Sequence, residues 1–297
     1  MLLRTFISSA RESLRRLYPE EEAKAIVARL CEELLGVSGY AHILEPSLEI
    51  PEDKGEAVMS AMDRLAAGEP LQYVLGYAYF CGRKFRVTPD VLVPRPETGQ
   101  LCDIVIRHGI APGTRILDLC TGSGCIAWAL ACTAPGVEVS GLDISSAALA
   151  VAASQDIRMP EGCLRPEFIL YDVLSGESGL DAAFGATGHA AGSYAAFDII
   201  VSNPPYVRES EKPLMHRNVL EYEPGLALFV PDSDPLVFYR AIAGIAGTRL
   251  RQDGFGAVEI NEAFGDAVAG IFSDAGFRDV RKIEDFRAKI RFVTFRK

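Results

Sequence analysis

The chain has 297 residues, of which 49% are hydrophobic and 24% charged, a composition typical of a folded protein with a substantial core. Its length predicts a small domain beside a larger one. The formal net charge of −10 disfavours a broad electrostatic surface for nucleic-acid backbones.

The cysteines and the apolar runs indicate whether to expect a metal site, a membrane segment or secretion. Seven cysteines are scattered without Cys-x-x-Cys pairs or zinc-site spacing, so we expect free thiols and no metal site. The longest weakly charged run, 122–137, falls short of the ~20 apolar residues that a membrane span needs. Charged, helix-like sequence follows the N-terminus, which is not typical of a secretory signal. We therefore expect a cytoplasmic protein without a membrane segment.

Residues 1–75 predict a helical domain. Ala, Leu, Glu and Arg are abundant, and breaks at Pro19, Gly36 and Gly68 indicate three or four short helices. Residues 76–96 alternate aromatic and β-branched residues with polar ones, and Gly82 is placed to turn a hairpin, so we interpret them as a connector. Composition alone leaves open whether the helices dock a partner or only support the structure.

Residues 97–297 predict an α/β domain. Strand-like runs at 115–119, 137–142, 167–170, 197–201 and 255–260 alternate with helix-like runs, which indicates a parallel sheet with helices on both faces. The runs 278–283 and 289–295 predict a final antiparallel hairpin. Residues 175–196 are rich in Gly, Ala and Ser and predict a flexible surface loop.

A Gly-rich turn follows the first of these strands. Asp118 begins the pattern Asp-x-x-x-Gly-x-Gly, in which Gly122 and Gly124 lack the β-carbons that would keep a ligand away from the backbone. Asp143 ends the next strand, where a carboxylate can accept both ribose hydroxyl hydrogen bonds of an adenosine group. Proteins that bind NAD share such an acid, so the loop alone leaves the cofactor undecided.

Asp172 follows the third strand, where the adenine edge of such a ligand should pass. Its carboxylate could accept a hydrogen bond from the adenine amino group. A surface or helix-capping role fits the residue equally well.

The sequence Asn203-Pro204-Pro205-Tyr206 follows the fourth strand, at the edge of the sheet where ligands bind. The side-chain oxygen of Asn203 and the carbonyl of Pro204 can together accept both hydrogens of a planar NH₂ group. Holding that group aligns the nitrogen lone pair of an amide, which is a poor nucleophile, with a methyl donor. Tyr206 would supply an aromatic wall against the flat substrate.

This motif and its flanks resemble a known family. Asn-Pro-Pro-Tyr after a fourth strand resembles the amino-methyltransferases, which act on adenine N6 or glutamine N5. The stretch Gly-Glu-Pro-Leu-Gln-Tyr-Val-Leu-Gly at 68–76 and the segment Pro-Arg-Pro-Glu-Thr at 94–98 resemble the glutamine-N5 branch, the peptide chain release factor methyltransferase family (PrmC/HemK). The resemblance runs from about residue 68 to the C-terminus.

The resemblance implies a fold and a function. The fold is a class I S-adenosylmethionine-dependent methyltransferase, Rossmann-like with a seven-stranded sheet and an antiparallel C-terminal hairpin, plus a small N-terminal helical domain that docks the substrate. The substrate is the glutamine of the Gly-Gly-Gln motif in bacterial class 1 release factors, methylated at N5. We expect a monomer without a direct nucleic-acid substrate.

The resemblance also implies the site residues. The cofactor is expected to contact Cys120, Thr121, Gly122, Ser123, Gly124, Asp143, Asp172, Val173 and Asn203. The amide is expected to contact Asn203, Pro204, Pro205 and Tyr206, of which Asn203, Pro204 and Tyr206 are the expected catalytic residues.

The sequence departs from the family pattern at two cofactor-site positions, and it leaves open an alternative function and the role of two charged residues. Cys120 stands where the family usually has Gly, and Val173 where an aromatic residue often follows the acid, so local adenosine contacts are expected to differ. An adenine-N6 methyltransferase is the alternative function, since the same motif can hold a flat exocyclic amino group. Arg95 and Glu97 either orient a ligand or form ion pairs that attach the hairpin to the catalytic domain.

Overall fold

The computed structural model describes residues 1–185 and 196–297, which divide into two units. The first unit comprises Met1–Tyr77 and His216–Tyr222, and the second comprises Ala78–Met215 and Glu223–Lys297. The sequence-based division differs at two places. The expected connector, 76–96, lies in the second unit from Ala78 onward, and a short helix from within 97–297 belongs to the first unit.

The first unit is helical. In its first helix Leu3, Phe6, Ile7, Ala10 and Leu14 are buried at helical spacing, which gives one apolar face. The sequence predicts three or four helices before residue 75, whereas the described residues form five, because 41–44 and 71–75 are short helices. The helices are α1 (Leu3–Leu14), α2 (Glu20–Leu30), α3 (Ala41–Leu44), α4 (Glu52–Ala66), α5 (Leu71–Leu75) and α10 (Arg217–Tyr222), with a π-helical turn at Cys31–Leu35.

A hairpin of β1 (Tyr77–Phe80) and β2 (Arg83–Arg86) precedes the main sheet. Its turn residues, Cys81 and Gly82, have φ angles of 46° and 74°. Two positive φ angles match the right-handed twist of hairpin strands, so the prediction of a turn at Gly82 is confirmed.

The second unit contains a seven-stranded sheet in the order β10-β11-β9-β6-β3-β4-β5. The strands β5, β4, β3, β6 and β9 run parallel to one another, and β11 is antiparallel to both β9 and β10. The sheet strands are β3 (Arg115–Leu119), β4 (Glu138–Asp143), β5 (Glu167–Leu170), β6 (Phe197–Ser202), β9 (Leu250–Glu259), β10 (Arg278–Glu284) and β11 (Ile290–Arg296). A two-stranded parallel pair joins β7 (Val207–Arg208) to β8 (Phe229–Val230).

Helices cover both faces of the sheet. Ile116 packs in a cluster with Leu101 and Trp128, whereas its neighbour Leu117 packs in a second cluster with Tyr239 and Phe272. Adjacent residues of a strand point to opposite faces, so both sides are buried, as the near-continuous apolar strands predict. The helices are α6 (Pro96–His108), α7 (Cys125–Ala131), α8 (Ser146–Ala153), α9 (Leu180–Gly185), α11 (Val237–Arg249) and α12 (Gly265–Asp274).

The predicted strands and C-terminal hairpin are confirmed, with several boundaries shifted by one residue, one larger shift and one error. Strand β9 begins at Leu250 rather than 255, since Leu250 pairs with Phe197 of β6. The prediction of a surface loop at 175–196 is wrong for 180–185, which form α9, because Leu180 and Phe184 lie on one helix face and are buried in the core. The part of that prediction at 186–195 lies outside the described residues.

None of the helices that the described residues form combines the length and the apolar character that a membrane crossing requires. Within the same residues, His, Cys, Asp and Glu nowhere gather in threes as a metal ion would need.

Candidate active site

A cavity of about 200 Å³ opens where β3, β4 and β6 end. Since these strands are parallel, the segments that follow them meet at one edge of the sheet. Nine residues that the sequence predicts as site residues line the cavity: Cys120, Thr121, Gly122, Ser123, Asp143, Asp172, Val173, Asn203 and Pro205. Gly124, Pro204 and Tyr206 lie beside it without contributing to its lining.

The Gly-rich turn has a left-handed backbone at Cys120, Gly122 and Gly124, with φ angles of 61°, 55° and 77°. A β-carbon on Gly122 would meet nothing within 4 Å, so this position leaves open space at the cavity. A β-carbon on Gly124 would lie 2.9 Å from the β-carbon of Ala152 and 2.9 Å from the ring of Phe168. Gly122 is therefore suited to ligand approach, whereas Gly124 allows the loop to pack on its own domain.

Cys120 adopts the left-handed backbone that glycine adopts more easily, so this departure carries a conformational cost of about 1 kcal/mol. Burial raises the pKa of its thiol well above the usual value. The side chain is therefore a neutral thiol in the cavity wall, and its reactivity as a nucleophile is low.

Asp118 stabilises the Gly-rich turn through its side chain. The sequence predicts no role for it beyond its place in the motif. Its Oδ2 atom accepts a 2.6 Å hydrogen bond from the Thr121 hydroxyl, and the residue is completely buried. Burial raises the pKa of Asp118 to about 7, although the bond from Thr121 acts in the opposite direction. The signal in the sequence is an acid inside an otherwise apolar strand.

Asp143 uses both carboxylate oxygens to hold the loop. Its Oδ2 accepts from the backbone N–H of Gly122 at 2.8 Å, and its Oδ1 accepts from that of Ser145 at 2.9 Å. Burial raises the pKa of Asp143, opposed by these hydrogen bonds. Each carboxylate oxygen can accept a second hydrogen bond, so the pair of ribose hydroxyls still has acceptors.

Asp172 caps a helical turn at Val173–Ser175, since its side chain accepts a 2.9 Å hydrogen bond from the N–H of Leu174. The capping role that the sequence left open is therefore present. The residue also lines the cavity together with Val173, whose side chain is buried. Its carboxylate can accept further hydrogen bonds.

The segment after β6 is anchored at both ends. Ser202 donates a 2.6 Å hydrogen bond to the carbonyl of Leu119 in β3. The side-chain NH₂ of Asn203 donates to the Thr98 hydroxyl oxygen at 3.0 Å. The hydroxyl of Tyr206 donates to Oε1 of Glu259 at 2.9 Å. Pro204 and Pro205, which lie between these two anchors, are buried and have fixed φ angles.

Thr98 and Glu259 complete this network, and neither was assigned a role from the sequence. Thr98 lies in α6 and donates a 2.8 Å hydrogen bond to Oε2 of Glu259 at the end of β9. Burial raises the pKa of Glu259 to about 6. Thr98 was part of the quoted motif at 94–98, whereas the signal for Glu259 was a lone acid in the apolar run 255–260.

Arg95 and Glu97 both form ion pairs, whereas a role of either residue in orienting a ligand stays a prediction. Arg95 donates to Oε1 of Glu223 at 2.5 Å, while Oε2 of Glu223 accepts a 3.1 Å bond from the N–H of Val93. Glu97 pairs with Arg287 across 3.9 Å. Arg95 also borders the cavity, so its ion pair helps to shape the cavity wall.

The sheet decides between the two cofactor classes that the loop left open. In a dinucleotide-binding Rossmann sheet the strands are mostly parallel, whereas here β11 lies between β9 and β10 and is antiparallel to both. That insertion, with the Gly-rich turn and the acid after β4, defines the class of S-adenosylmethionine-dependent methyltransferases.

Similar proteins identify the family. Residues 6–76 match the family model described as the PrmC N-terminal domain. A release factor glutamine methyltransferase from Bacteroides thetaiotaomicron is 42% identical over 284 residues, covering 96% of this chain and 96% of that protein. Another from Flavobacterium psychrophilum is 32% identical over 297 residues, covering 99% and 98%. The chain belongs to the release factor glutamine methyltransferase family.

A solved structure is also similar to this chain. The protein-(glutamine-N5) methyltransferase (release factor-specific) from Alicyclobacillus acidocaldarius matches with a TM-score of 0.43 and 27% identity, covering 72% of this chain and 99% of that chain.

Proposed function

We propose that the chain transfers a methyl group from S-adenosylmethionine to the side-chain amide nitrogen, N5, of the glutamine in the Gly-Gly-Gln motif of bacterial class 1 release factors. The observation that carries this proposal is the orientation of Asn203. Its NH₂ group is engaged by Thr98, so its carbonyl oxygen is available to accept a hydrogen bond from a substrate NH₂. Family membership supports the same substrate.

The cofactor-binding residues that we propose fit an adenosine group. The open space at Gly122 admits the ligand to the backbone, and Asp143 offers carboxylate oxygens to the ribose hydroxyls. The wall of the cavity is completed by Cys120, Thr121, Ser123, Asp172, Val173 and Asn203. Gly124 lets the loop pack closely on its own domain. S-adenosylmethionine, when bound, supplies an electrophilic methyl group.

The catalytic contribution of the chain is positioning and electrostatics. The Asn203 side-chain oxygen and the Pro204 carbonyl hold the two hydrogens of the amide, which turns the nitrogen lone pair toward the methyl donor. Positive charge develops on that nitrogen as the N–C bond forms and the donor's S–CH₃ bond breaks, and two carbonyl dipoles aimed at its hydrogens stabilise it. The nitrogen then returns to neutrality by releasing one of these protons to solvent. Pro205 and Tyr206 hold the backbone of this clamp, Tyr206 through its hydrogen bond to Glu259.

The helical first unit is proposed to dock the release factor, so that binding energy remote from the reacting amide positions the Gly-Gly-Gln loop. Two glycines before the target let a narrow backbone enter the cavity. We further propose that the enzyme is a cytoplasmic monomer without a direct nucleic-acid substrate, in line with its net charge of −10.

The test is incubation with labelled cofactor and three acceptors: an intact release factor, its Gln→Ala variant in the Gly-Gly-Gln motif, and adenine-containing DNA. We expect label on the intact factor alone, located at the glutamine by mass spectrometry. Label on DNA would favour the adenine-N6 alternative, and undiminished label on the Gln→Ala factor would contradict the amide substrate.

A further inference from the structure

We propose that Thr98 and Glu259 are positioning residues that determine which end of the Asn203 amide faces the cavity, and thereby make the site specific for NH₂ donors. The proposal rests on the proposed amide methylation. It assigns a role to two residues outside the Asn-Pro-Pro-Tyr motif.

The direction of the hydrogen bonds follows from the number of protons. An ionised Glu259 carboxylate can only accept, so the single hydroxyl proton of Thr98 points toward its Oε2 at 2.8 Å. The Thr98 oxygen can then only accept from Asn203, 3.0 Å away. The group of Asn203 that faces Thr98 must therefore be its NH₂, and its carbonyl oxygen lies on the opposite side of the amide.

Burial of Thr98 and Glu259 enforces this orientation of the Asn203 amide. Thr98 is 3% exposed and Glu259 is 1% exposed, so water cannot easily replace a missing donor or acceptor. An Asn203 amide turned by 180° would place a carbonyl oxygen against the Thr98 oxygen, leaving two buried acceptors face to face. The network thus excludes the orientation in which Asn203 would donate to a substrate carbonyl.

One carboxylate also holds both ends of the clamp. Oε2 of Glu259 reaches Asn203 through Thr98, and Oε1 accepts from Tyr206. Between these two residues the prolines fix the backbone. Asn203 and Tyr206 are therefore held in register by a single group on the neighbouring strand β9.

The charge on Glu259 matters, because protonation turns one carboxyl oxygen into a donor that competes for the hydroxyl facing it and is a weaker acceptor than a carboxylate oxygen. Burial raises the pKa of Glu259 to about 6, and the hydrogen bonds from Thr98 and Tyr206 lower it. The charged and titratable groups that face it are Glu97, which raises its pKa, Arg291, which lowers it, and the phenols of Tyr206 and Tyr239. We expect methyl transfer to fall as the pH drops through about 6.

The experiment compares Thr98→Val with Thr98→Ser in the full-length enzyme. Valine has the shape of threonine without the acceptor, so we expect kcat for an intact release factor to fall roughly 10- to 100-fold while cofactor affinity changes little. Serine keeps the hydroxyl and is expected to restore most of that rate. Thr248→Val, on the exposed end of α11, is the matched control for loss of a hydroxyl.

Suppose that the wild-type enzyme labels the release factor and that Thr98→Val has an unchanged kcat. This result would overturn the positioning role while leaving the proposed function standing. A wild-type enzyme that does not label any release factor would instead contradict the proposed function. For that case the NH₂ group of Asn203 gives an independent readout in ¹⁵N NMR. Its hydrogen exchange should be slow in the wild type and fast in Thr98→Val, and equal exchange would overturn the proposal.

Glu259→Gln provides a second variant should Thr98→Val melt at a much lower temperature. Glutamine does not titrate, so the decline of activity near pH 6 should disappear from its pH profile, at a lower maximal rate. An unchanged rate with the same acidic decline would contradict the role of Glu259.

Discussion

The backbone N–H of Gly122 donates a 2.8 Å hydrogen bond to Oδ2 of Asp143, which links the turn after β3 to the acid that ends β4. Asp143 therefore shapes the loop in addition to its proposed contact with the ribose. Loss of this carboxylate should affect both the conformation of the loop and the binding of the cofactor.

For Asp143→Ala we expect cofactor affinity to fall roughly 10- to 100-fold, since hydrogen bonds to a charged acceptor contribute about 1.5–3 kcal/mol. Calorimetric titration with S-adenosylmethionine measures the change. Asp274→Ala, at the exposed end of α12, is the matched control and should bind normally. Unchanged affinity in Asp143→Ala would remove the residue from the cofactor site.

For Asn203→Ala we expect single-turnover methyl transfer to fall by roughly 100-fold or more, because the side-chain oxygen that holds the substrate NH₂ is lost. The protein should remain folded, as circular dichroism and thermal melting would show. A single-turnover rate near that of the wild type would contradict the amide clamp.

Substitutions at the two glycines of the turn should affect different properties, the free energy of unfolding at Gly124 and cofactor affinity at Gly122. Gly124→Ala places a β-carbon 2.9 Å from Ala152 and Phe168, so its unfolding free energy should fall by about 2–4 kcal/mol. Gly122→Ala meets no protein atom within 4 Å and should lose only about 1 kcal/mol while binding the cofactor more weakly. Denaturant unfolding and calorimetry on both variants test this. Equal unfolding free energies in the two would contradict the packing role of Gly124.

Asp118 should make stability depend on pH. Its pKa is about 7 in the folded protein against 3.8 ordinarily, so the folded state binds the proton more tightly. Its contribution to stability is present below about pH 4 and is lost as the pH rises through about 7. In Asp118→Asn that loss should be absent, so its unfolding free energy relative to the wild type should rise by on the order of 2 kcal/mol between pH 5 and 8. Parallel pH profiles of the two proteins would contradict this.

The proposed docking role of the first unit predicts a defect in release-factor binding that spares cofactor binding. A groove of about 1230 Å³ in that unit is lined by Arg4, Arg16 and Arg217 among other residues. In the double variant Arg4→Glu/Arg16→Glu, KM for an intact release factor should rise roughly tenfold, because remote contacts supply binding energy. Cofactor affinity should stay unchanged, and Arg158→Glu in the second unit is the control. An unchanged KM would argue against docking on this groove.

Point variants suit this test better than truncation. The helix α10 belongs to the first unit although it lies within the sequence of the second. Removal of the N-terminal helices would leave α10 without the helices against which it folds. A truncated enzyme would therefore confound docking with folding.

The sequence by itself determined the strands, the hairpin turn at Gly82 and the two motifs, because each depends on residues close together in the chain. Alternating or continuous apolar runs specify a strand, and a turn requires particular residues at adjacent positions. The same local signal failed at 180–185, where Leu180 and Phe184 form a helix that is stabilised by burial against the sheet. Gly- and Ala-rich surroundings concealed that pair.

Tertiary structure alone decided the partners of the clamp. Thr98 lies 105 positions before Asn203 and 161 positions before Glu259, yet the three side chains form one chain of hydrogen bonds. Their meeting depends on strand order, since β9 lies beside β6 in the sheet. A motif specifies which polar groups are available, whereas the direction of each hydrogen bond depends on the proton that a distant and buried neighbour supplies or lacks.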